Sequence, residues 1–368
     1  MDLNDSDVQV LLCETVRSVL NANADATARN AAERSDLGII EGVERSLGEI
    51  GLLEAIVQSA ISPTCLASVF EEVGRFAVAS PIVNAMAAYE FVRYAAGQSA
   101  ARDLYDRVGQ DLSLGVRRQF ATGRSHESIT ISWSHMARWA LVYNPHGGSP
   151  VLELFELDEP GEPQPSLDAE RSSRVQLPIN QGDVIVGDDR SPFHAGRQGD
   201  HVVKLLRSAG LTGLAAGALD LTVGYVRDRR QFKRPIGSFQ SIQHELANIW
   251  IRLTGTRLAT YEALWLIDHG VGEDRLSMGA VLQACIVAEE ATLAAAQFHG
   301  GIGFTTDYGL HHFLRRAKAE ALRLGGQLGT SENLAAIIGD EGTVDFRHLP
   351  PTNSELRGST ADIAFVTQ

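Results

Sequence analysis

The pattern of apolar and polar positions divides the chain into three. From residue 6 to about 115, apolar residues recur at spacings of three and four, the helical period. Val8, Val10, Leu11, Leu12, Val16 and Leu20 are expected on one face of the first helix. Ser62-Pro63-Thr64 and Ser80-Pro81 read as helix starts, with proline at the first helical position. After Pro63, Leu66, Val69, Phe70, Val73 and Phe76 form a stripe, and Glu71 and Glu72 are expected to face outward.

From about residue 116 the helical period gives way to alternation. Ser128–Trp133, Trp139–Tyr143, Val151–Leu157, Arg174–Leu177 and Asp183–Val186 are short runs rich in β-branched and aromatic residues. Asn144-Pro145-His146-Gly147-Gly148 and Glu159-Pro160-Gly161-Glu162-Pro163 separate them as turns. A small β-domain or barrel is expected here.

From about Asp200 the helical period returns. Val203, Leu206, Gly210, Leu214, Gly217, Leu221 and Tyr225 share one face of a long helix. Each of Gly210, Gly213, Gly217 and Gly224 costs about 1 kcal/mol against alanine inside a helix, so together they predict close helix contact. Further helices are expected over Ser238–His269, Asp274–Phe298 and Asp307–Leu324, the last ending at Gly325-Gly326. The predicted fold class is α+β multidomain. It has an N-terminal helical domain (1–115), a middle β-domain (116–195), a C-terminal four-helix-type bundle (196–340) and a tail (341–368).

Composition narrows the function classes. The apolar fraction of 44% and charged fraction of 21% are those of a globular chain. A net charge of −14 argues against nucleic-acid binding, which needs basic patches. No unbroken apolar run is long enough to span a membrane. Cys13, Cys65 and Cys285 give neither a disulfide framework nor a metal-ligand spacing, and the acidic start is unlike a signal peptide. The expected compartment is the cytoplasm, with no metal site.

Chemistry concentrates in two segments. Arg227 to His244 reads as helix, turn at Pro235-Ile236-Gly237, and new helix. There Arg229 and Arg230 supply charge for a phosphate, Gln231 and Gln240 amide hydrogen bonds, and Phe232 and Phe239 faces for a planar ring. Gln297 to Phe304 carries the pair Gly300-Gly301, where backbone can approach a ligand closely. The wording R-x-Q-F-x-x-P-I-x-x-F-Q-x-x-x-H followed by Q-x-H-G-G-x-G-F resembles the acyl-CoA dehydrogenase family, clearly from about Val203 to Arg316. The resemblance implies FAD bound across a subunit interface. It makes Arg229, Gln231, Phe232, Ile236, Phe239, Gln240, Gln297, Gly300 and Gly301 FAD contacts, and places His244 and His299 near the cofactor. The family has glycine where this chain has Lys233.

The resemblance also shows departures. Family segments like T-E-P-x-x-G-S-D and G-x-K-x-W/Y-I-T/S-N, which help hold the isoalloxazine ring, are missing from the middle region; Ala137-Arg138-Trp139 stands near the second. The implied reaction, α,β-dehydrogenation of an acyl-CoA, needs a glutamate base. The family's usual position falls on Leu328, or on Leu324 by an ungapped count, and the second on Val203. Asp200, Glu245, Glu262 and Glu332 are the remaining carboxylates considered in this half, and His311-His312 is read as surface. The expectation is therefore a non-catalytic subunit of a heteromeric acyl-CoA dehydrogenase. A homologous partner supplies the glutamate, and an electron-transfer flavoprotein is the acceptor. The alternatives are a homomeric dehydrogenase with an unrecognised base, or a related flavin oxidase or monooxygenase.

Overall fold

A computed structural model describes residues 6–116, 126–144, 151–158, 161–164, 166–168, 170–178, 181–185, 192–272 and 274–340. The proposed turn residues Pro145–Gly148, Glu159 and Pro160, the strand residue Val186 and the tail 341–368 lie outside them.

Seven helices come first: α1 (Asp7–Asn23), α2 (Ala26–Arg34), α3 (Glu41–Glu49), α4 (Leu52–Val57), α5 (Pro63–Arg75), α6 (Pro81–Ala96) and α7 (Gln98–Val108). Ser62 and Ser80 cap α5 and α6, their Oγ atoms accepting from Cys65 N and Val83 N. In α1 the core face is narrower than its apolar spacing suggests. Gln9, Leu12, Val16 and Leu20 are buried along one stripe, and Val8, Val10 and Leu11 fall to either side of it and are exposed.

Helix α5 has no solvent face, so Glu71 and Glu72 are buried rather than outward. Glu71 accepts from Arg257 Nε at 2.8 Å and Tyr261 Oη at 2.9 Å; Glu72 accepts from Arg17 Nη2 at 2.6 Å. Burial of a carboxylate requires such partners, and they come from α1 and from a helix almost 190 residues away. Glu44 on α3 accepts from Ser80 Oγ and Ile82 N, and burial pushes its carboxyl up to about 7.

The middle region is two sheets rather than a barrel, among the described residues. One has the order β1 (Leu112–Val116), β3 (Trp139–Asn144), β4 (Val151–Glu156), β7 (Asp183–Val184). The other is β2 (His126–Ser132), β6 (Ser172–Pro178), β5 (Pro163–Gln164). Ile129, Ile131, Ala140, Val142, Phe155, Val175 and Leu177 form a small core of their own. Leu114, Leu141, Tyr143 and Leu154 join the large helical core instead. Strands β3 and β4 are thus buried on both faces.

The C-terminal helices are α8 (Pro192–Asp228), α9 (Gln240–Asp268), α10 (Asp274–His299), α11 (Leu310–Arg323) and α12 (Gly326–Asp340). A short hairpin of β8 (Arg230–Gln231) and β9 (Arg234–Pro235) joins α8 to α9. The helix α12 lies beyond the last one expected; Gly325 and Gly326, both at positive φ, separate it from α11. Helices α8 and α10 are long and apolar enough to cross a bilayer by length and composition, despite lacking an unbroken apolar run. Their most apolar windows are 83% and 61% buried within the protein, as befits core helices.

Backbone contact between α5 and α8 explains the glycines there. A Cβ at Gly213 would overlap the carbonyl oxygen of Glu71, and one at Gly217 that of Arg75. Gly224 does not share this role: it is exposed, with no atom within 4 Å of where its Cβ would be.

Candidate cofactor and partner site

The first motif begins where α8 ends. Arg229 N donates to Tyr225 O, and Ile236 N returns to Arg229 O, each at 2.8 Å. Strands β8 and β9 pair Arg230 with Pro235 and Gln231 with Arg234, leaving Phe232-Lys233 as a two-residue turn. Such a turn needs positive φ at both positions, normally met by Asn-Gly. Here φ is 51° at Phe232 and 67° at Lys233. Left-handed backbone costs a non-glycine residue about 1–2 kcal/mol, so the missing family glycine leaves strain at the tip.

The strained turn holds an aromatic ring in solvent. Phe232 is 85% exposed, edge-on to Phe239 at 6.1 Å, and the Arg234 guanidinium lies 3.9 Å over the Phe239 ring. Arg229, Gln231 and Gln240 are exposed, while Ile236 and Phe239 are partly covered. Gln240 Nε2 lies 3.3 Å from His244 Nε2, and Gln243 Nε2 donates to Gly237 O. Arg227, Arg229, Arg230, Lys233 and Arg234 oppose only Asp228, a basic cluster on an acidic chain.

The second motif closes α10. Gln297, Gly300 and Gly301 are exposed, and a Cβ at either glycine would meet nothing within 4 Å. Gly300 needs its freedom for φ 61°; nothing in this chain's packing requires glycine at 301. His299 is not open to a ligand. It is buried and stacked 4.2 Å from Tyr225; Nδ1 donates to Ala295 O at 2.7 Å, and Tyr308 Oη lies 3.2 Å from Nε2. Burial holds it below the usual histidine range. The two motifs therefore meet through Tyr225 and His299 at one end of the bundle. An anionic cofactor's phosphate end fits this surface, with exposed cations, exposed amides and backbone open to approach.

The counted base positions hold no acid. Leu328 is exposed on α12; Val203 and Leu324 are buried. One turn from each of the last two lie Arg207 and Glu320, paired at 2.7 Å across α8 and α11. Arg323 joins Glu320 at 3.1 Å and Asp168 at 2.6 Å. Burial alone would raise both carboxyls. Arg323 outweighs it at Asp168, and Arg207 with Arg323 at Glu320, so both sit below their usual range. Both carboxylates are occupied by arginine. Asp200 is bound to Lys204 at 2.6 Å, and Glu245, Glu262 and Glu332 face solvent.

His311 and His312 are not surface residues. His312 is buried, its Nε2 2.9 Å from Asn30 Oδ1, and burial beside His311 and Arg29 pushes it down to about 3. Glu33 completes a possible ligand trio. Arg315 already donates to Glu33, and with Arg29 alongside, the surroundings are cationic and poor for a metal ion. Asp168, Glu170 and Glu320 also cluster, but Arg323 ion-pairs with all three. The ionic network escaped the sequence reading; arginine inside the apolar run of α8 was the available signal.

Residues 201–342 match the family model described as acyl-CoA dehydrogenase, C-terminal domain. Acyl-CoA dehydrogenase IpdE2 of Mycolicibacterium smegmatis is 25% identical over 334 residues, spanning 87% of this chain and 95% of that protein. Two solved structures share the fold. The Tcur3481-Tcur3483 steroid ACAD, as a variant, has a TM-score of 0.78 at 23% identity, covering 90% of this chain and 98% of that one. The ChsE4-ChsE5 complex from Mycobacterium tuberculosis has a TM-score of 0.77 at 20% identity, covering 93% and 100%.

Proposed function

We propose that the chain, whose residues 201–342 match the acyl-CoA dehydrogenase C-terminal domain, belongs to that family and serves as the non-catalytic subunit of a heteromeric acyl-CoA dehydrogenase. One observation carries the reading. Leu328, Leu324 and Val203 cannot take a proton; Glu320, one turn from Leu324, is bound to Arg207, and Asp200, beside Val203, to Lys204. Removing an α-proton from a thioester needs a positioned base, so a homologous partner chain provides it. FAD, when bound, supplies the hydride acceptor.

This chain's residues then bind and orient. Arg229 and its neighbouring cations neutralise phosphate; Gln231, Gln240 and Gln297 offer amides; Phe232, Ile236 and Phe239 offer apolar faces. Gly300 and Gly301 admit close approach. Val223, Trp250, Ile251, Leu293, Ile302 and Phe304 are exposed on α8, α9, α10 and the turn after it, apolar positions that a partner subunit would cover. Likeness to the ChsE4-ChsE5 complex supports a paired assembly, and likeness to a steroid ACAD supports a bulky acyl-CoA substrate. A cytoplasmic heterotetramer passing electrons to an electron-transfer flavoprotein completes the proposal.

The test is flavin absorbance and mass, on the chain alone and after co-expression with its genomic neighbour. A colourless lone chain and a yellow mixed assembly with about half a flavin per chain are expected. One flavin per chain in the lone protein, bleached by an acyl-CoA, would overturn the reading and return the search for a base to Asp200 and Glu245.

A further inference from the structure

We infer that this chain closes its own interior to a flavin ring and an acyl chain, with Trp133 on one wall and the Arg207–Glu320 pair on another. The inference rests on the proposed subunit role and adds what became of the second pocket.

Size is the first argument. The space between α5, α6, α8, α11 and the turn after β2 is a cavity of ≈ 70 Å³. About 150 Å³ holds a single benzene ring, and an isoalloxazine is three fused rings. Water fits; a flavin ring does not.

The second argument is what fills the space. Trp133 is fully buried and lines both this cavity and the larger cleft outside it. Its backbone is left-handed, φ 60°, an unfavourable state for a side chain of this size. Backbone bonds hold it there: Trp133 N donates to Arg171 O at 2.7 Å, and Met136 N and Ala137 N donate to Trp133 O. The segment it opens runs to Ala137-Arg138-Trp139, where a ring-holding sequence is missing.

Polarity is the third. Arg207, Glu320, Glu170, Arg316 and Asn84 line the cavity. Asn84 Nδ2, Arg316 Nε and Glu170 Oε1 are shielded and have no hydrogen-bond partner in the protein. An apolar acyl chain would leave them unpaired, whereas water can satisfy them. A subunit closed in this way directs the ring and the substrate to its partner.

The experiment uses the full-length mixed assembly and lumiflavin, the ring system without its phosphate tail. Trp133→Gly removes the indole and suits the left-handed backbone. It is expected to bind lumiflavin at least tenfold tighter than wild type, read by fluorescence quenching, with up to one extra ring per copy of this chain. Trp133→Phe, which keeps a ring in place, should bind like wild type. A folded Trp133→Gly assembly with no gain would overturn the assignment. Should Trp133→Gly fail to assemble, Arg207→Leu with Glu320→Leu opens the other wall and must show the same gain. Bound FAD separates the two ideas. Half a flavin per chain with no lumiflavin gain sinks only the closed-pocket inference; one flavin per chain in wild type sinks both.

Discussion

Between Val202 and Leu219, helix α8 is covered on every side. Beyond Asp220 the same helix runs to an exposed basic hairpin. In the covered part, Gly213 and Gly217 let α5 approach to backbone contact, and Arg207 is satisfied by Glu320. In the open part, Gly224, Gly300 and Gly301 have nothing beside them, Phe232 projects into solvent, and the turn at Lys233 is strained. In the covered part the buried charges are paired within the chain. In the open part, strain and exposed polar groups stand where a ligand or another chain can meet them.

The largest test of this contrast is at the covered end. Arg207→Leu leaves Glu320 buried with only Arg323, and should cost about 3 kcal/mol in urea unfolding. The loss should shrink at acid pH, where a less well-paired glutamate takes up a proton. Pairing it with Glu320→Leu should restore stability to within about 1 kcal/mol, since hydrophobic replacement of a whole buried pair is often neutral. A double variant as unstable as the single one would break the account.

Glu44→Gln comes next. The folded-state value is raised by burial, so this group contributes stability that is complete below pH 4.5 and lost as pH climbs through about 7. At pH 8 the variant should exceed wild type by on the order of 2 kcal/mol, with the advantage gone at pH 4.5. A pH-independent difference would contradict burial as the cause.

At the open end the effects on stability should be small. Lys233→Gly relieves a left-handed residue and should stabilise by about 1 kcal/mol, seen as a higher melting temperature. Gly301→Ala should shift stability by less than about 0.5 kcal/mol, because no atom is there to clash. The same substitution should reduce flavin retention in the mixed assembly. An unstable Gly301→Ala chain would show that this end is internally packed after all.

Much of the architecture was legible because its signals are local. Ser62-Pro63 and Ser80-Pro81 start helices by chemistry contained within a few residues, and β6 alternates buried and open positions, whereas β3 is covered along its length instead of alternating. The motifs around Arg229 and Gln297 carried the family in their wording, and the absence of glutamate at Leu328, Leu324 and Val203 could be counted. The hairpin at Phe232-Lys233 and helix α12 were not foreseen, since the first violates turn preferences and the second starts on glycines.

What only the tertiary structure decided is which faces were covered twice. Periodicity marks one buried side of α5; it cannot say that α1, α8 and α9 surround the rest, so Glu71 and Glu72 read as outward until their arginines arrive from residues 257 and 17. Arg207, Glu320, Arg323 and Asp168 meet across more than a hundred residues, and Trp133 is placed by a bond to Arg171. The sequence determined the elements and the exposed motifs, whose physics is short-range. The closed interior was set by charge pairing and packing between distant segments, where the energy depends on distances that no spacing along the chain encodes.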